Sequence, residues 1–235
     1  MATEGGPNII TDGLVLVLDA ANVKSYPGTG TTWYDKSGNR FNGTLANGPT
    51  YSTSGGGSIV LDGSNDYIQI ADNGITSGFN QQSFTINMWI KLTRDGTYEV
   101  VWSYDFTSHN PPYYAQHIRS NNSQGTLTMT INGDGAYFGG NVSVTGWTFG
   151  QWFNATFTRD FTTGANKSYK NGVLQESNTL LGTILYYNQP VWIGKSNFST
   201  GYMKGNAGQY SFYNRALTSS EVLQNYNATK SRFGL

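Results

Sequence analysis

The chain has 235 residues, with 14 basic and 14 acidic side chains, 14% aromatic residues, 30 Gly and no Cys. Zero net charge without a Lys/Arg cluster argues against nucleic-acid binding, and no apolar run approaches the roughly 20 residues of a membrane helix. The missing Cys excludes disulfides, thiolate nucleophiles and zinc–thiolate sites, and without an export signal we expect the protein to fold in a cytoplasm.

Short segments of alternating apolar and polar residues recur along the chain, separated by turns rich in Gly, Asn, Asp and Ser. Phe84, Ile86 and Met88 alternate with polar residues, which predicts a strand with one buried face. Lys170-Asn171-Gly172-Val173 predicts a hairpin, because Asn-Gly accepts the positive φ of its turn. Many short strands predict a β-sandwich. The predicted strands are 14–19, 58–62, 67–70, 83–92, 100–104, 114–119, 127–131, 153–158, 191–194 and 208–213.

One helix is predicted near the end of the chain. Thr218 and Glu221 form a capping-box pattern, in which each side chain receives a hydrogen bond from the other's backbone N–H. Val222, Leu223 and Tyr226 then form a narrow apolar stripe. We therefore expect this helix to lie flat on the sandwich.

Several blocks of sequence, in order, resemble the laminin-G-like, concanavalin A-like domain family. They are GLVLVLDA (13–20), WYDKSGN (33–39), NGT (42–44), SIVLDG (58–63), DYI (66–68), FTINMWI (84–90), YKNGV (169–173) and YNRALT (213–218). The resemblance implies an all-β jelly-roll sandwich of two antiparallel sheets, in a family that often binds calcium and glycans. No linker or repeat divides the chain, so we assign 13–235 to one such domain and 1–12 to a flexible N-terminal arm.

The final segment, LQNYNATKSRFGL (223–235), resembles the ends of laminin-G-like proteins encoded by tailed phages of aquatic bacteria, including cyanophage-like ones. That resemblance implies a structural protein of the virion. It agrees with the low charge, the missing Cys and the short arm.

Glucanases of this fold hydrolyse sugars with two carboxylates, held about 5–5.5 Å apart in retaining enzymes. On one strand this requires acidic residues at alternating positions. The four Glu residues have no acidic residue two positions away, and His109 and His117 lie in no Ser-His-Asp pattern. We therefore predict no catalytic residues and no enzymatic activity. The four are Glu4, Glu99, Glu176 and Glu221.

Calcium is the predicted metal, because it prefers oxygen ligands from carboxylates, amides and carbonyls. Asp35, Asn39 and Asn42 supply such atoms in one loop, and Asp62 and Asp66 supply them in a second. Two basic residues flank the first loop, and there is no EF-hand spacing. The alternative is that Asx-rich loops bond their own backbones.

Sugar binding requires aromatic faces and polar groups for hydroxyls. Tyr113 and Tyr114, which follow two prolines, are one predicted platform, and Tyr187 is another. The alternative is that these aromatics fill the sandwich.

The predicted function is therefore non-enzymatic recognition on a tailed-phage virion, as a capsid decoration or a tail-associated lectin-like head. Its partners would be capsid or tail subunits, further copies of itself, and cell-surface or environmental glycans, without nucleic acid or membrane insertion. The alternative is a free-standing carbohydrate-binding or adhesion module of a bacterial protein, located outside the cell. A third reading is a glycoside hydrolase of the same fold.

Overall fold

Strands dominate the computed structural model of the chain. It describes residues 7–71, 75, 82–93, 98–105, 114–120, 125–131, 139–182, 189–197 and 201–235. The strands are β1 (Leu14–Asp19), β2 (Thr32–Trp33), β3 (Gly43–Ala46), β4 (Thr50–Ser52), β5 (Ser58–Asp62), β6 (Tyr67–Ile70), β7 (Phe84–Leu92), β8 (Glu99–Asp105), β9 (Tyr114–Ser120), β10 (Thr126–Ile131), β11 (Gly139–Thr145), β12 (Phe153–Arg159), β13 (Ala165–Lys170), β14 (Val173–Thr179), β15 (Val191–Ile193) and β16 (Lys204–Tyr213). One α-helix, α1 (Ser219–Thr229), runs into a 3-10 turn at Lys230–Phe233, and a second 3-10 turn lies at Ser54–Gly56.

The described strands form two antiparallel sheets of eight strands each. The front sheet has the order β14-β13-β12-β7-β16-β5-β4, and β1 also pairs with β16. The back sheet has the order β11-β10-β9-β8-β15-β6-β3-β2. Partners such as β7 and β16 are far apart in the chain, as in a jelly roll. The predicted all-β class, with two antiparallel sheets and one short C-terminal helix, is confirmed.

The core lies between the two sheets and is rich in aromatic rings. Trp102 of β8 in the back sheet stacks on Phe212 and Tyr210 of β16 in the front sheet, with centroid distances of 6.0 and 6.4 Å. Ile86 and Met88 of β7 are fully buried in the same cluster. Rings of this size remove a large apolar area from water, so they dominate the stability of the sandwich.

The outer face of the front sheet is covered as well, by the C-terminal segment. Trp89 of β7 stacks on Phe233 at 4.1 Å and on Tyr226 at 5.7 Å between ring centroids. The Trp89 Nε1 also donates a hydrogen bond to Thr229 Oγ1 at 2.8 Å. Therefore β7 is buried on both faces, whereas its alternation predicted only one.

The inner stripe of α1 differs from the predicted one by a residue. Val222 is fully buried, and Tyr226 contacts the front sheet, but Leu223 is 43% exposed. Asn225 is buried in place of Leu223, and its Nδ2 donates a hydrogen bond to the Tyr213 hydroxyl oxygen at 3.0 Å. The helix thus lies on the sandwich through a mixed apolar and polar face. It is too short and polar to cross a bilayer, and the described residues hold no helix that could.

Residues 8–12, predicted as part of a flexible arm, pack against α1. The N–H of Ile10 donates to Asn225 Oδ1 at 2.7 Å, and the Tyr213 hydroxyl donates to the Ile10 carbonyl at 3.0 Å. The buried amide of Asn225 needs hydrogen-bond partners, and this backbone supplies one. Residues 1–6 of the predicted arm lie outside the described residues.

The predicted hairpin at Asn171-Gly172 is confirmed and joins β13 to β14. The two residues have φ of +51° and +78°, as a type I′ turn requires. A Cβ at Gly172 would lie 3.0 Å from a Leu223 methyl and 3.2 Å from Tyr226, so the missing side chain also lets α1 approach the hairpin.

Glu221 makes the attachment of α1 dependent on pH. Two hydrogen bonds from Arg215, at 2.6 and 2.9 Å, are the largest cause lowering the pKa of Glu221 to about 2, and hydrogen bonds from Thr218 of the confirmed capping box act in the same direction. An unfolded Glu has a pKa of about 4.3. Since the folded value is lower, this stabilisation is present above a pH of about 4.3 and is lost as the pH falls toward about 2.

We expect Glu221→Gln to lower the free energy of unfolding at pH 7 by about 1 kcal/mol, because it removes the ion pair and keeps a capping side chain. At pH 2 the variant and the wild type should unfold at nearly the same urea concentration. Urea titrations at the two pH values measure both quantities. A deficit that is equally large at pH 2 would contradict this account.

Candidate functional site

The first predicted calcium loop holds its carboxylate with four hydrogen bonds. Asp35 Oδ1 accepts from the N–H groups of Val17 and Ser37, at 2.9 and 2.8 Å. Its Oδ2 accepts from the Ser37 hydroxyl at 2.7 Å and from the Phe41 N–H at 3.1 Å. Asn42 Oδ1 in turn accepts from the Asp35 N–H at 2.9 Å. This largely buried carboxylate therefore ties the loop to β1.

These contacts leave little for a calcium ion in the first loop. A carboxylate has about four lone-pair sites; three backbone N–H groups engage Asp35, and the Ser37 hydroxyl, which also lies 2.7 Å from the Val15 carbonyl, contacts a fourth. Asn39 donates through Nδ2 to the Val15 carbonyl at 2.9 Å. A calcium ion would have to displace these hydrogen bonds, so the donor set does not fit the metal, and the loop follows the alternative of Asx residues bonding nearby backbone.

The second predicted loop, between β5 and β6, is a polar turn. Asp62 Oδ1 accepts from the N–H groups of Ser64 and Asn65 at 2.8 and 3.3 Å, and Asp66 Oδ2 accepts from the Asp62 N–H at 3.1 Å. The hydrogen bond from Ser64 is the largest cause lowering the pKa of Asp62, whereas burial raises the pKa of Asp66. No group of three or more His, Cys, Asp or Glu gathers in the described part of the chain. Calcium stays a prediction, now centred on this turn.

The predicted sugar-binding tyrosines are not tested by this structure. Tyr113 and Tyr187 lie outside the described residues. The backbone of Tyr114 opens β9 and pairs with Asp105 of β8, while its side chain is not among those described. The three therefore stay a prediction.

A different aromatic and polar surface lies on the outer face of the back sheet. Tyr67 and Gln69 alternate with the two core isoleucines of β6, so they point away from the core. Trp192 of β15 pairs directly with Gln69. The Nζ of Lys195, just beyond β15, lies 4.3 Å from the Tyr67 ring centroid and 5.3 Å from that of Trp192. We name Tyr67, Gln69, Trp192 and Lys195 the Tyr67 face.

Lys195 is held in place through its backbone. The preceding Gly194 has φ of +91°, and a Cβ there would lie 2.6 Å from Leu61 and 3.5 Å from the Asp66 carbonyl oxygen. Glycine thus lets the chain leave β15 close against the turn before β6. The Lys195 carbonyl accepts a hydrogen bond from the Ser103 hydroxyl at 2.7 Å. Burial lowers the pKa of Lys195.

The Tyr67 face brings together the groups that a hydroxyl-rich ligand uses. It has a half-buried ring, an amide and an ammonium group, and the neighbouring turn carries the exposed carboxylate of Asp62. Few well-placed polar groups among aromatic side chains are typical of ligand sites. Sequence reasoning missed this surface. The alternation of 67–70 does place Tyr67 and Gln69 outward, but no local signal connects them with Trp192 and Lys195.

Comparisons with known proteins agree with the fold. The family model for the concanavalin A-like lectin/glucanases superfamily matches residues 62–223. No curated protein sequence gives a significant match.

Among solved structures, the chain is similar to three binding domains of botulinum neurotoxins. The type G receptor-binding domain gives a TM-score of 0.66 and 18% identity, over 92% of this chain and 51% of that one. The serotype D domain in complex with N-acetylneuraminic acid gives 0.72 and 16%, over 92% and 51%. The DC domain in complex with rat synaptotagmin II gives 0.71 and 15%, over 94% and 52%. The chain spans about half the length of these structures, and at such identities the likeness is one of fold.

Asp35→Asn tests the structural role of the first loop. The amide nitrogen would face backbone N–H donors, so we expect the free energy of unfolding to fall by about 2 to 3 kcal/mol in urea titrations. Asp62→Asn, at an exposed carboxylate, is the matched control and should change it by about 0.5 kcal/mol or less. Equal stability of the Asp35 variant and the wild type would contradict the assignment.

Proposed function

The chain belongs to the concanavalin A-like lectin/glucanases superfamily, and from this premise we propose that it is a non-enzymatic recognition protein that binds glycans through the Tyr67 face. The observation that carries the proposal is the placement of Tyr67, Gln69 and Lys195 on one outward surface beside the Asp62 turn. Lectin-like sites bind weakly one at a time, so repeated display would supply the avidity.

Binding without hydrolysis is supported by the contacts of two of the three described glutamates. Glu221 is engaged by Arg215 and by the capping box of α1. Glu176 Oε2 accepts from the Ser143 N–H at 2.5 Å and so connects β14 with β11 across the two sheets. These carboxylates hold the fold together, whereas a glycosidase needs two free ones facing a cleft.

We further propose that the protein is displayed on the virion of a tailed phage, as a capsid decoration or a tail-associated head. The resemblance of residues 223–235 to the ends of phage laminin-G-like proteins supports this setting. The similar neurotoxin domains were solved with N-acetylneuraminic acid and with synaptotagmin II, so related folds offer surfaces to a sugar and to a protein. The second candidate is a free-standing, extracellular carbohydrate-binding module, which would use the same surface.

A glycan array with multivalently displayed protein tests the recognition role. We expect selective binding that falls by about tenfold or more in Tyr67→Ala, a loss of about 1.4 kcal/mol or more, because the ring is removed. Tyr34→Ala, at a tyrosine that is 46% exposed, is the matched control and should bind like the wild type.

Repeating the array with a calcium chelator distinguishes calcium-dependent from calcium-independent glycan binding. Loss of binding on chelation would support a calcium ion at the Asp62 turn, and unchanged binding would remove the metal from the mechanism. Absence of binding to every glycan on the array would contradict glycan recognition. Release of reducing sugar from a bound glycan would contradict the non-enzymatic assignment.

The virion proposal predicts that the N-terminal arm serves assembly. Residues 1–7 precede the first hydrogen bond to α1 that the described residues make, in which Gln224 Nε2 donates to the Asn8 carbonyl at 2.8 Å. Deleting 1–7 should therefore leave thermal unfolding unchanged and abolish incorporation into purified particles, as measured by mass spectrometry of the virions. Incorporation at the wild-type level would exclude the arm from assembly.

A further inference from the structure

We propose that the Tyr67 face selects acidic saccharides, with the Lys195 ammonium group receiving a carboxylate or sulfate of the ligand. This inference rests on the proposed function and specifies the ligand class of the same surface. It follows from how Lys195 is held and from which partners its charge has.

Lys195 differs in its partners from four other partly buried cations of the described chain, although Lys230 likewise lies over a ring, that of Tyr226 at 5.3 Å. Arg215 and Arg232 pair with carboxylates, and Lys91 and Lys170 donate to oxygens at 3.0 and 2.7 Å. Within the described part of the chain, the Lys195 ammonium group instead meets the faces of two aromatic rings, and no carboxylate there lies within ion-pair distance of its Nζ. A ring face attracts a cation by only about 0.5–1 kcal/mol at exposed sites, so an anion would add a stronger interaction.

The site around Lys195 is fixed before a ligand arrives. Ser103 fixes the Lys195 carbonyl, and the Gly194 carbonyl accepts from the Met203 N–H at 2.9 Å. The Trp192 ring beneath the ammonium group is 4% exposed. Because the backbone and the aromatic base are already ordered, little conformational entropy would be lost on binding.

The local electrostatics also favour an anion at Lys195. Burial is the cause of its lowered pKa, and no carboxylate among the described residues opposes the effect. An anionic ligand would therefore stabilise the charged form. The chain has no net charge, so such attraction is local to this surface and does not come from the overall field.

The oxygens of the Asp62 turn complement this cation. Asn47 Nδ2 donates to the Asn65 carbonyl at 2.8 Å, which ties the turn to the end of β3. Asp62 remains exposed there and can accept hydrogen bonds from saccharide hydroxyls. A ligand with hydroxyls toward the turn and an acidic group toward Lys195 would satisfy both ends, whereas a neutral saccharide would use only one.

Two matched pairs of polymers test the selectivity of the full chain. Polygalacturonate is compared with its carboxyl-reduced, neutral form, and dextran sulfate is compared with dextran. Binding of multivalently displayed protein is measured by biolayer interferometry. We expect an acidic polymer to bind about tenfold or more tightly than its neutral partner in at least one pair. The pair that shows this preference identifies the recognised group as a carboxylate or a sulfate.

Variants assign the selectivity to the proposed residue. Lys195→Met should remove about tenfold or more of the acidic-polymer binding and leave neutral-polymer binding within about twofold, while Lys195→Arg should retain the preference. Lys24→Met removes the same charge from an exposed position and should behave like the wild type. Thermal unfolding of each variant confirms that it is folded.

Each remaining outcome is decisive. Equal binding of acidic and neutral polymers overturns the inference and leaves the proposed function standing. Acidic preference that survives in Lys195→Met overturns the assignment to this residue. Absence of binding to all four polymers overturns the inference, and the glycan array then decides separately whether the proposed function survives.

Discussion

The stack of Phe233 on Trp89 is the contact that lets the front sheet be buried on both sides. Trp89 lies on β7, which pairs with β12 on one edge and β16 on the other, so its ring occupies the middle of the outer face. A Cβ at Gly55 or Gly208 would lie 2.8 Å from the Phe233 ring, so two glycines open the space that the ring fills. The C-terminal segment is therefore part of the core, and the position of α1 follows from it.

Local sequence patterns predicted the strands, the hairpin and the helix cap because each depends on neighbours in the chain. They predicted that the helix lies on the sandwich but not that it covers Trp89 of the front sheet, because the Trp89 contact to Thr229 joins residues far apart in sequence. Asn225 replaces Leu223 in the buried stripe for a similar reason. Its amide forms hydrogen bonds with Tyr213 and with the backbone of Ile10. A pattern of hydrophobic residues cannot predict that these hydrogen bonds bury a polar side chain.

Sequence reasoning singled out only the Asp62 turn of the candidate site, and the reason is again the range of the contacts. The residue types of the two Asx loops marked them as turns, but the Val17 N–H that engages Asp35 comes from β1. The Tyr67 face needs β6 and β15 side by side, and that pairing exists only in the folded sheet. The alternation of residues 67–70 correctly places the side chains of Tyr67 and Gln69 on the outer face. It did not reveal the cation that meets Tyr67 there.

The helix α1 and the docked segment 8–12 lie on the outer face of the front sheet, and the Tyr67 face lies on the outer face of the back sheet. The full thickness of the core separates the two surfaces. The proposed glycan-binding surface therefore lies on the side of the sandwich opposite α1. If a larger assembly bound the molecule beside α1, the Tyr67 face would point away from that assembly. No hinge motion or rearrangement would be needed to expose it.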